Sequence, residues 1–270
     1  MSLEASLRAV MILAIGLATV SQQGGAHAAE LKERGDLAVH FSANKVIGTM
    51  AIRRWRDKHV IVTNRTRASI HYVPASTFKI ANSLIALETK SVRDADEIIP
   101  YGGKPQRLKR WERDMSMREA IAMSNVPIYQ EIARRVGLKR YKVWLGRLGY
   151  GNGKVGQIVE QFWLDGSLAI SAVEQVEFIH RMVQGKLPIS KRSISMVRGI
   201  LKLEVKNGRT LYGKTGWCGS CKPKIGWWTG WIESRGKTTA FSLNMDLKKI
   251  AQAPLRISIG KMILTELGEY

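Results

Sequence analysis

The stretch Pro74-Ala-Ser-Thr-Phe-Lys-Ile80 decides how this 270-residue sequence is interpreted. It places a hydroxyl at Ser76 and an amine at Lys79 near the start of a predicted helix over Ser76–Leu87. At that spacing both side chains lie on one face of a helix, so the amine can reach the hydroxyl. Serine is a poor nucleophile until an adjacent base takes its proton. The pattern predicts a nucleophile with its base, although the stretch taken alone is more typical of a serine that only caps a helix.

Two further motifs follow along the chain. Ser124-Asn-Val126 lies after one predicted helix and just before Pro127, where a loop can present a hydroxyl to a cleft. Lys214-Thr-Gly216 lies at the end of a predicted strand, where a cation, a hydroxyl and an uncluttered backbone can bind a carboxylate. Each motif by itself is more typical of ordinary loop or edge-strand chemistry than of a functional site.

In this chain order the three motifs together resemble the S-x-x-K, S-x-N or S-x-V, and K-T-G triple of the penicillin-recognising serine enzymes. The sequence is most similar to the class D (oxacillinase-type) β-lactamases, because Ser124-Asn-Val126 is S-x-V where class A enzymes have S-D-N. The resemblance runs from about Phe41 to the C-terminus. Four other segments also look like class D elements: Tyr150-Gly-Asn152, Gln161-Phe-Trp-Leu164, Ile225-Gly-Trp-Trp-Thr-Gly-Trp231 and Pro254-Leu-Arg256.

The resemblance implies roles for individual residues. Ser76 would be the acylated nucleophile, and Lys79 would be a general base in the form of N6-carboxylysine. That modification requires CO2 or bicarbonate, and no metal or other cofactor is implied. Ser124 would relay a proton towards the leaving nitrogen, and the backbone N–H groups of Ser76 and Trp217 would form the oxyanion hole. The implied substrate-binding residues are Lys214, Thr215, Gly216, Trp217 and Arg256.

The physical chemistry of a buried lysine supports the assignment of Lys79. An apolar pocket disfavours the ammonium, and the neutral amine that results can capture CO2 as a carbamate. Phe78, Val126 and Leu164 could line such a pocket, and the indole N–H of Trp163 could donate a hydrogen bond to the carbamate. Without a carbamate these residues are simply core. The residues expected to support the cleft, and not to take part in the chemistry, are Tyr150 and Asn152.

Two features depart from the family pattern. Ala81 stands where the family usually has proline, but alanine is a good helix former and should leave the nucleophile in place. Cys218 and Cys221 are the only cysteines, and they lie in a loop expected to border the substrate side chain. In an oxidising compartment a disulfide, or two unpaired thiols, is favoured over a redox or zinc site. The histidines show no metal-ligand spacing, so a metal-dependent hydrolase is disfavoured.

Short apolar runs broken by turns predict strands near both ends of the sequence, and segments with helical spacing fill the middle. The predicted strands are Leu37–Phe41, Val46–Ile52, His59–Thr63, Thr210–Thr215, Ile225–Glu233 and Thr238–Met245. The predicted helices, besides the one at Ser76, are Met117–Met123, Ile128–Val136, Tyr141–Leu148, Ala172–Gln184, Ser193–Leu203 and Leu255–Leu267.

The expected fold class is α+β, and the resemblance implies a β-lactamase/transpeptidase-like fold. An antiparallel sheet formed by both chain ends would be flanked by helices, and a helical lobe would come from the middle of the chain. We expect a single domain over residues 29–270, with a sheet lobe at about 29–70 and 205–270 and a helical lobe at about 71–204. A cleft would lie at the seam between the lobes.

The first 28 residues are predicted to be a secretory signal. Arg8 precedes an apolar run over Ala9–Val20, and Ala26-His27-Ala28 is typical of a cleavage site. An uncleaved membrane anchor is the alternative. With the signal removed, we expect a periplasmic or secreted protein without stable membrane insertion.

The net charge of +21 and the isoelectric point near 10.2 raise nucleic acid as a partner. The lysines and arginines are scattered along the sequence, however, which favours a solvated basic surface suited to an anionic envelope. The expected partners are therefore β-lactam antibiotics and not nucleic acid. The oligomeric state is left open.

Hydrolysis of penicillin-type antibiotics, with resistance as its result, is the favoured function. A penicillin-binding peptidase and the sensor domain of a β-lactam receptor share the three motifs. Receptor sensors are tethered by transmembrane helices, and peptidases usually carry further domains, so both are less favoured. A basic envelope-binding protein with a degenerate site is disfavoured because Ser76, Lys79, Ser124, Lys214 and Arg256 are all present.

Overall fold

The computed structural model describes residues 30–270. This range forms the strands β1 (Glu30–Glu33), β2 (Gly48–Arg54), β3 (His59–Val62), β4 (Ile98–Ile99), β5 (Met115–Ser116), β6 (Lys202–Lys206), β7 (Arg209–Cys218), β8 (Ile225–Ser234) and β9 (Lys237–Asp246). Its α-helices are α1 (Val39–Ala43), α2 (Arg65–Ser69), α3 (Lys79–Glu88), α4 (Met117–Ala122), α5 (Val126–Val136), α6 (Leu138–Leu148), α7 (Ala172–Val183), α8 (Lys191–Leu201) and α9 (Leu255–Glu266). Short 3₁₀ turns lie at Gly35–Ala38, Ala75–Phe78, Lys109–Trp111 and Ile250–Gln252.

The two ends of the chain build one seven-stranded sheet, as predicted, with the strand order β1-β3-β2-β9-β8-β7-β6. The first three strands come from the beginning of the chain and the others from its end. They join where β2 pairs with β9, from Gly48 opposite Met245 to Arg54 opposite Thr239. The pairing is antiparallel except at one edge, where β1 runs parallel to β3. The predicted α+β fold class is therefore confirmed, with that one parallel pair as a difference.

The sheet is covered on both faces, which explains the apolar run along β8. Trp227 and Trp231 lie in the core between the sheet and the helical lobe, whereas Trp228 lies in the core on the opposite face, where α1 and α9 pack. All three indole side chains are fully buried. A strand buried on both faces loses the alternation of apolar and polar residues that marks a half-exposed strand.

Helix α3 lies at the centre of the helical lobe and carries the first motif. Every residue from Lys79 to Leu87 is buried, and α5 and α8 pack against the helix. A helix that is buried on all sides belongs to the inside of a protein. Its first turn, together with the 3₁₀ turn before it, faces β7, so the seam between sheet and helices lies at the N-terminal end of α3.

Three predictions of secondary structure were wrong or incomplete. Leu37–Phe41 is not a strand: it spans a 3₁₀ turn and α1, and Leu37 and Phe41 are buried in one cluster at helical spacing. The predicted helix Ser193–Leu203 ends at Leu201, where β6 begins. The two-residue strands β4 and β5 and the edge strand β1 were not predicted. These strands are short or exposed, so they lack the period-two pattern on which strand prediction depends.

The secretory signal predicted for residues 1–28 lies outside the described residues. Across residues 30–270, no helix has both the length and the apolar character needed to cross a bilayer.

Candidate active site

The nucleophile candidate and its base are in contact at the start of α3. Ser76 lies in the 3₁₀ turn, Lys79 is the first residue of the helix, and Lys79 Nζ lies 2.8 Å from Ser76 Oγ. The side chain of Lys79 is fully buried, whereas Ser76 is partly open to solvent. At this separation the hydroxyl could pass its proton to the amine once the amine is uncharged.

The backbone just before the nucleophile is strained. Ala75 has φ +47°, which is unfavourable for a residue with a Cβ atom. Its N–H donates to the carbonyl oxygen of Trp163 at 3.1 Å, and the Trp227 indole donates to the Val73 carbonyl at 2.9 Å. Neighbouring segments therefore hold the turn in place. Strained backbone of this kind is concentrated at functional sites.

The second motif lies in the tight connection between α4 and α5. Ser124 has φ +55°, and Asn125 caps α5 by accepting a hydrogen bond from the N–H of Ile128 at 3.0 Å. Val126 opens the helix and is half-buried. The Lys214 ammonium donates to Ser124 Oγ at 3.0 Å and to the Thr215 carbonyl at 3.0 Å. The second and third motifs thus meet across the seam, as their predicted roles require.

Gly216 allows the sheet to approach the nucleophile. A Cβ atom at this position would lie 2.9 Å from the carbonyl oxygen of Pro74 and 3.2 Å from the amide nitrogen of Thr77. Any side chain would therefore push β7 away from the 3₁₀ turn. Arg256, at the start of α9, donates from Nη1 to the Gly216 carbonyl at 2.5 Å and from Nε to the Ala253 carbonyl at 2.7 Å. The third motif and the arginine are consequently held together beside Ser76.

Three basic side chains dominate the electrostatics of the site: Lys79 and Lys214 are buried, and Arg256 is half-buried. Burial, with a smaller contribution from Lys214, holds the pKa of Lys79 well below its usual value of 10.5. Burial and the nearby Arg256 lower the pKa of Lys214 to about 7, and burial lowers the pKa of Arg256 to about 10. None of the three forms an ion pair with any residue from 30 to 270. The site therefore combines a lysine whose buried surroundings favour the neutral amine with two basic groups that are available to an anionic ligand.

The residues predicted to line the pocket of Lys79 form one aromatic cluster. Phe78 stacks on Trp163 with ring centroids 5.6 Å apart, and it contacts Tyr150 at 5.7 Å and Phe162 at 5.2 Å. Leu164 is half-buried and packs against the same core. The indole Nε1 of Trp163 is buried and has no hydrogen-bond partner in the described part of the chain. A buried donor without an acceptor costs about 1–3 kcal/mol, so it needs an explanation.

Tyr150 and Asn152 occupy two different surroundings. Tyr150 is buried between Phe78 and Phe178. Asn152 is exposed, and its side chain braces a turn by donating to the Ser167 carbonyl at 3.0 Å and accepting from the Ala169 N–H at 3.2 Å. Both side chains make architectural contacts.

The prediction from sequence missed a polar network behind Lys79. Ser83 donates to the Lys79 carbonyl at 2.8 Å and lies 2.8 Å from the hydroxyl of Tyr129. The ring of Tyr129 lies beneath the lysine, with its centroid 5.2 Å from Nζ. Asn82, also fully buried, accepts from the Tyr141 hydroxyl at 2.8 Å. The sequence did carry a signal, because Asn82 and Ser83 are polar residues inside an otherwise apolar helix. Buried polar groups almost always have hydrogen-bond partners, so this pair indicated a buried network.

The cysteines form a disulfide at the end of β7, with the two Cα atoms 5.5 Å apart. The loop that it closes packs against Trp217, since a Cβ atom at Gly219 would lie 2.7 Å from the indole ring. On the helical side of the cleft, the Arg107 guanidinium lies 5.2 Å from the centroid of the same ring. Residues 30–270 hold no group of three His, Cys, Asp or Glu side chains that could bind a metal ion.

Comparison with known proteins agrees with this geometry. The family model of the penicillin binding protein transpeptidase domain matches residues 40–265. The chain is 38% identical to β-lactamase OXA-10 from Pseudomonas aeruginosa over 231 residues, which is 84% of this chain and 87% of that protein. It is 35% identical to β-lactamase OXA-48 from Klebsiella pneumoniae over 263 residues, which is 97% of each protein.

Solved structures give the same result. The class D β-lactamase FUS-1 (OXA-85) from Fusobacterium nucleatum subsp. polymorphum has a TM-score of 0.85 and 34% identity, covering 88% of this chain and 99% of that one. The transpeptidase match and the three motifs define a penicillin-recognising serine enzyme. More narrowly, the chain belongs to the class D serine β-lactamases, a class whose members need no metal ion.

Proposed function

We propose that this enzyme hydrolyses the amide bond of penicillin-type β-lactams through an acyl-enzyme on Ser76. One observation carries the proposal: Ser76 Oγ lies 2.8 Å from the amine of Lys79, which is fully buried and has a lowered pKa. An uncharged amine can take the hydroxyl proton, whereas an ammonium cannot. The relatives OXA-10 and OXA-48 are named as β-lactamases, which supports the same substrate class.

In the proposed acylation step, Ser76 Oγ forms a bond to the carbonyl carbon of the lactam while its proton passes to the base at Lys79. The backbone N–H groups of Ser76 and Trp217 stabilise the oxyanion. When the tetrahedral intermediate collapses, the C–N bond of the ring breaks and Ser124 relays the proton that the base took from Ser76 to the leaving nitrogen, so that both Ser124 and the base regain their starting states. Lys214 contacts the Ser124 hydroxyl at 3.0 Å and can keep it oriented for this transfer.

The substrate carboxylate binds, in this proposal, to Lys214, Thr215 and Arg256. Lys214 is buried, Arg256 is half-buried, and neither forms an ion pair within residues 30–270, so an anion would restore charge balance. Charge-assisted hydrogen bonds to a carboxylate are about twice as strong as neutral ones. The anionic ring-opened product leaves after a water molecule, activated by the same base, has cleaved the ester on Ser76.

We further propose that Lys79 works as N6-carboxylysine, formed by CO2 on the neutral amine with release of one proton. The Trp163 indole supports this, because its buried Nε1 has no hydrogen-bond partner among residues 30–270. A carbamate oxygen would supply the missing acceptor. The carbamate would supply an oxygen base for both steps. Phe78 and Leu164 belong to the apolar core around that pocket, and the half-buried Val126 is proposed to line it too; apolar surroundings favour the neutral amine needed for carboxylation.

We propose that the enzyme is exported and confers resistance to β-lactam antibiotics from the periplasm or the surrounding medium. The support is the pattern of residues 1–28, with an apolar run followed by Ala26-His27-Ala28. N-terminal sequencing of protein secreted by a bacterial host tests the cleavage site after Ala28, and an intact N-terminus on the exported protein would overturn it.

The test of the reaction is penicillin hydrolysis by the purified mature protein, with and without bicarbonate, beside Ser76→Ala and Lys79→Ala. The matched controls are Ser195→Ala and Lys191→Ala, which change the same residue types on α8, away from the seam. We expect many turnovers that increase with bicarbonate, persist in both controls and vanish in both site variants. Acylation of Ser76 at one equivalent without turnover would overturn hydrolysis in favour of a receptor or a penicillin-binding protein.

A further inference from the structure

The large positive charge of the chain has no role in the chemistry described above, so its position in the fold matters. Three β-hairpin turns meet at one end of the sheet. The register places Arg54 of β2 opposite Thr239 of β9, and Arg209 of β7 opposite Ser234 of β8. The turns between β2 and β3, between β8 and β9 and between β6 and β7 therefore lie side by side, at the end of the sheet away from the cleft.

Five exposed cations on these turns form what we name the hairpin rim. They are Arg56, Lys58, Lys206, Arg235 and Lys237. None of the five forms an ion pair with a residue in the range 30–270. The rim therefore presents its charges to the solvent.

The acidic side chains near the rim do not neutralise it, because most already have partners. Glu269 pairs with Arg54 at 2.6 Å, Glu233 with Arg198 at 2.6 Å and Glu204 with Lys261 at 2.7 Å. Asp57, between Arg56 and Lys58, is the acidic residue of the turns without an ion pair among the described residues. Five free cations against one free carboxylate leave a strong local positive potential.

Two apolar side chains accompany the charges. Trp55 is partly exposed at the tip of the hairpin between β2 and β3 and lines a groove of about 580 Å³ with Arg54, Arg56, Lys237 and Thr238. Val205 is 61% exposed on β6 beside Lys206. Tryptophan has a strong preference for the interface between headgroups and water, because its ring is apolar and its N–H is polar.

We propose that the hairpin rim docks this enzyme on the surface of an anionic phospholipid bilayer. Six neighbouring strands carry the turns, so the rim is about 24 Å wide at the usual spacing between strands. A row of separated cations of that width fits an array of headgroup phosphates, whereas a single small anion would engage one or two of them. Trp55 and Val205 would enter the headgroup region, and the attachment is peripheral and reversible.

Docking at this end leaves the enzyme free to work. Gly216 lies seven residues beyond Arg209 along β7, which is about 23 Å at the usual rise of an extended strand. The cleft therefore opens well away from the bilayer. Substrate binding and membrane attachment should be independent, so this inference does not depend on the proposed reaction.

Co-sedimentation of the mature protein with lipid vesicles tests the proposal. One set of vesicles is phosphatidylcholine alone, and the other is equal parts phosphatidylcholine and phosphatidylglycerol, at low and at high NaCl. We expect binding only to the anionic vesicles, with release by salt. Failure to bind the anionic vesicles at low salt would overturn the proposal.

A matched pair of variants tests whether the rim itself is responsible. The rim variant carries Arg56→Glu, Lys58→Glu, Lys206→Glu and Lys237→Glu. The control carries Lys139→Glu, Arg140→Glu, Lys142→Glu and Lys154→Glu, all exposed and remote from the rim along the chain, so that the change in net charge is the same. Each basic residue near an anionic membrane contributes about fivefold to binding, so we expect the rim variant to bind at least about 100-fold more weakly. Equal losses in both variants would overturn the proposal, because binding would then depend on net charge alone.

Two further arms remove the remaining ambiguities. A variant counts as folded when it hydrolyses penicillin at the wild-type rate. If the rim variant with glutamate is not folded, a rim variant with glutamine at the same four positions is tested in its place. Random-sequence duplex DNA is added as a competitor. If DNA displaces the protein from vesicles and the rim variant loses DNA affinity equally, the rim is a nucleic-acid surface and the proposal is wrong.

Discussion

The two ends of the sheet use the same kind of side chain in opposite ways. At the cleft end, Lys79 and Lys214 are buried and Arg256 is half-buried, and burial lowers the pKa of each. At the hairpin end, Arg56 and Lys237 are exposed to solvent on turns. Burial turns a lysine from a solubilising charge into a chemical group that gives up its proton near neutral pH. The composition of a basic protein therefore does not give the roles of its lysines and arginines until the exposure of each is known.

The largest effect expected from this comparison is that of Lys79→Met set beside Lys237→Met. We expect the first to lower kcat/KM for penicillin by about 10³-fold or more, since it removes the base. We also expect its free energy of unfolding to rise by about 0.5–2 kcal/mol, because a fully buried amine without an ion-pair partner among residues 30–270 is replaced by an apolar side chain.

Steady-state kinetics and urea unfolding measure both quantities. Lys237→Met, at the exposed end, should leave kcat/KM unchanged and stability within about 0.5 kcal/mol. If Lys79→Met proves less stable than the wild-type enzyme, Lys79 is part of the structural framework and the contrast between the two ends fails.

An intermediate effect is expected for Gly216→Ala, which disturbs the contact between β7 and the 3₁₀ turn that carries Ser76. The added Cβ would lie 2.9 Å from the Pro74 carbonyl oxygen, so β7 must move away from the nucleophile turn. We expect kcat/KM to fall by about 10- to 100-fold, since a small misplacement of reacting groups is costly, and stability to fall by about 1–3 kcal/mol.

The control is Gly199→Ala on α8, where a Cβ would have no atom within 4 Å. There, alanine should raise stability by about 0.5–1 kcal/mol, because it restores helix propensity, and it should not affect turnover. Equal kinetics for the two alanine variants would show that the close approach of β7 is not needed for catalysis.

The smallest effect on catalysis is a pH dependence that comes from Lys214. Its pKa is about 7 in the folded enzyme against 10.5 ordinarily, so between these values the unfolded chain binds the extra proton. Stability should therefore rise with pH over that window, by at most about 1.4 kcal/mol per pH unit from this residue. Over the same window Lys214 loses its charge, so kcat/KM for an anionic penicillin should fall.

Urea unfolding and kinetics from pH 6 to pH 10 test both statements, with Lys214→Met as the reference. In that variant the contribution of this residue to both pH dependences should disappear. Wild-type and variant profiles of the same shape would mean that Lys214 keeps its charge throughout.

The site residues that could be predicted from the sequence were those that belong to one of the three short motifs. Ser76, Lys79, Ser124 and Lys214 were predicted as one site, and the structure joins them as two hydrogen-bonded pairs, Ser76 with Lys79 and Ser124 with Lys214. The sheet from both chain ends was also predictable, because its buried strands carry long apolar runs bounded by turns. The chemical roles assigned to the four site residues stay predictions until the kinetics of the variants are measured.

What could not be predicted depended on tertiary contacts. Ser83 and Tyr129 support the lysine from behind, but their hydrogen bond joins residues that are distant in sequence. The α1 segment was misread as a strand because five residues are too few to separate helical from extended spacing. The hairpin rim could not be seen at all, since its cations come from three turns that only the register of the sheet brings together.

The pairing of β2 with β9 also sets the order in which the molecule can form. Gly48 and Met245 are paired across almost the whole length of the chain, and β9 separates the strands of the first segment from those of the last. Contacts between residues so distant in sequence make folding slow. The ribosome also synthesises β9 after all the other strands of the sheet. The cleft, which needs β7 docked against the nucleophile turn, is therefore a late product of folding. Until the last strands have been synthesised, a nascent chain contains Ser76 and Lys79 but has no cleft in which they could act on a substrate.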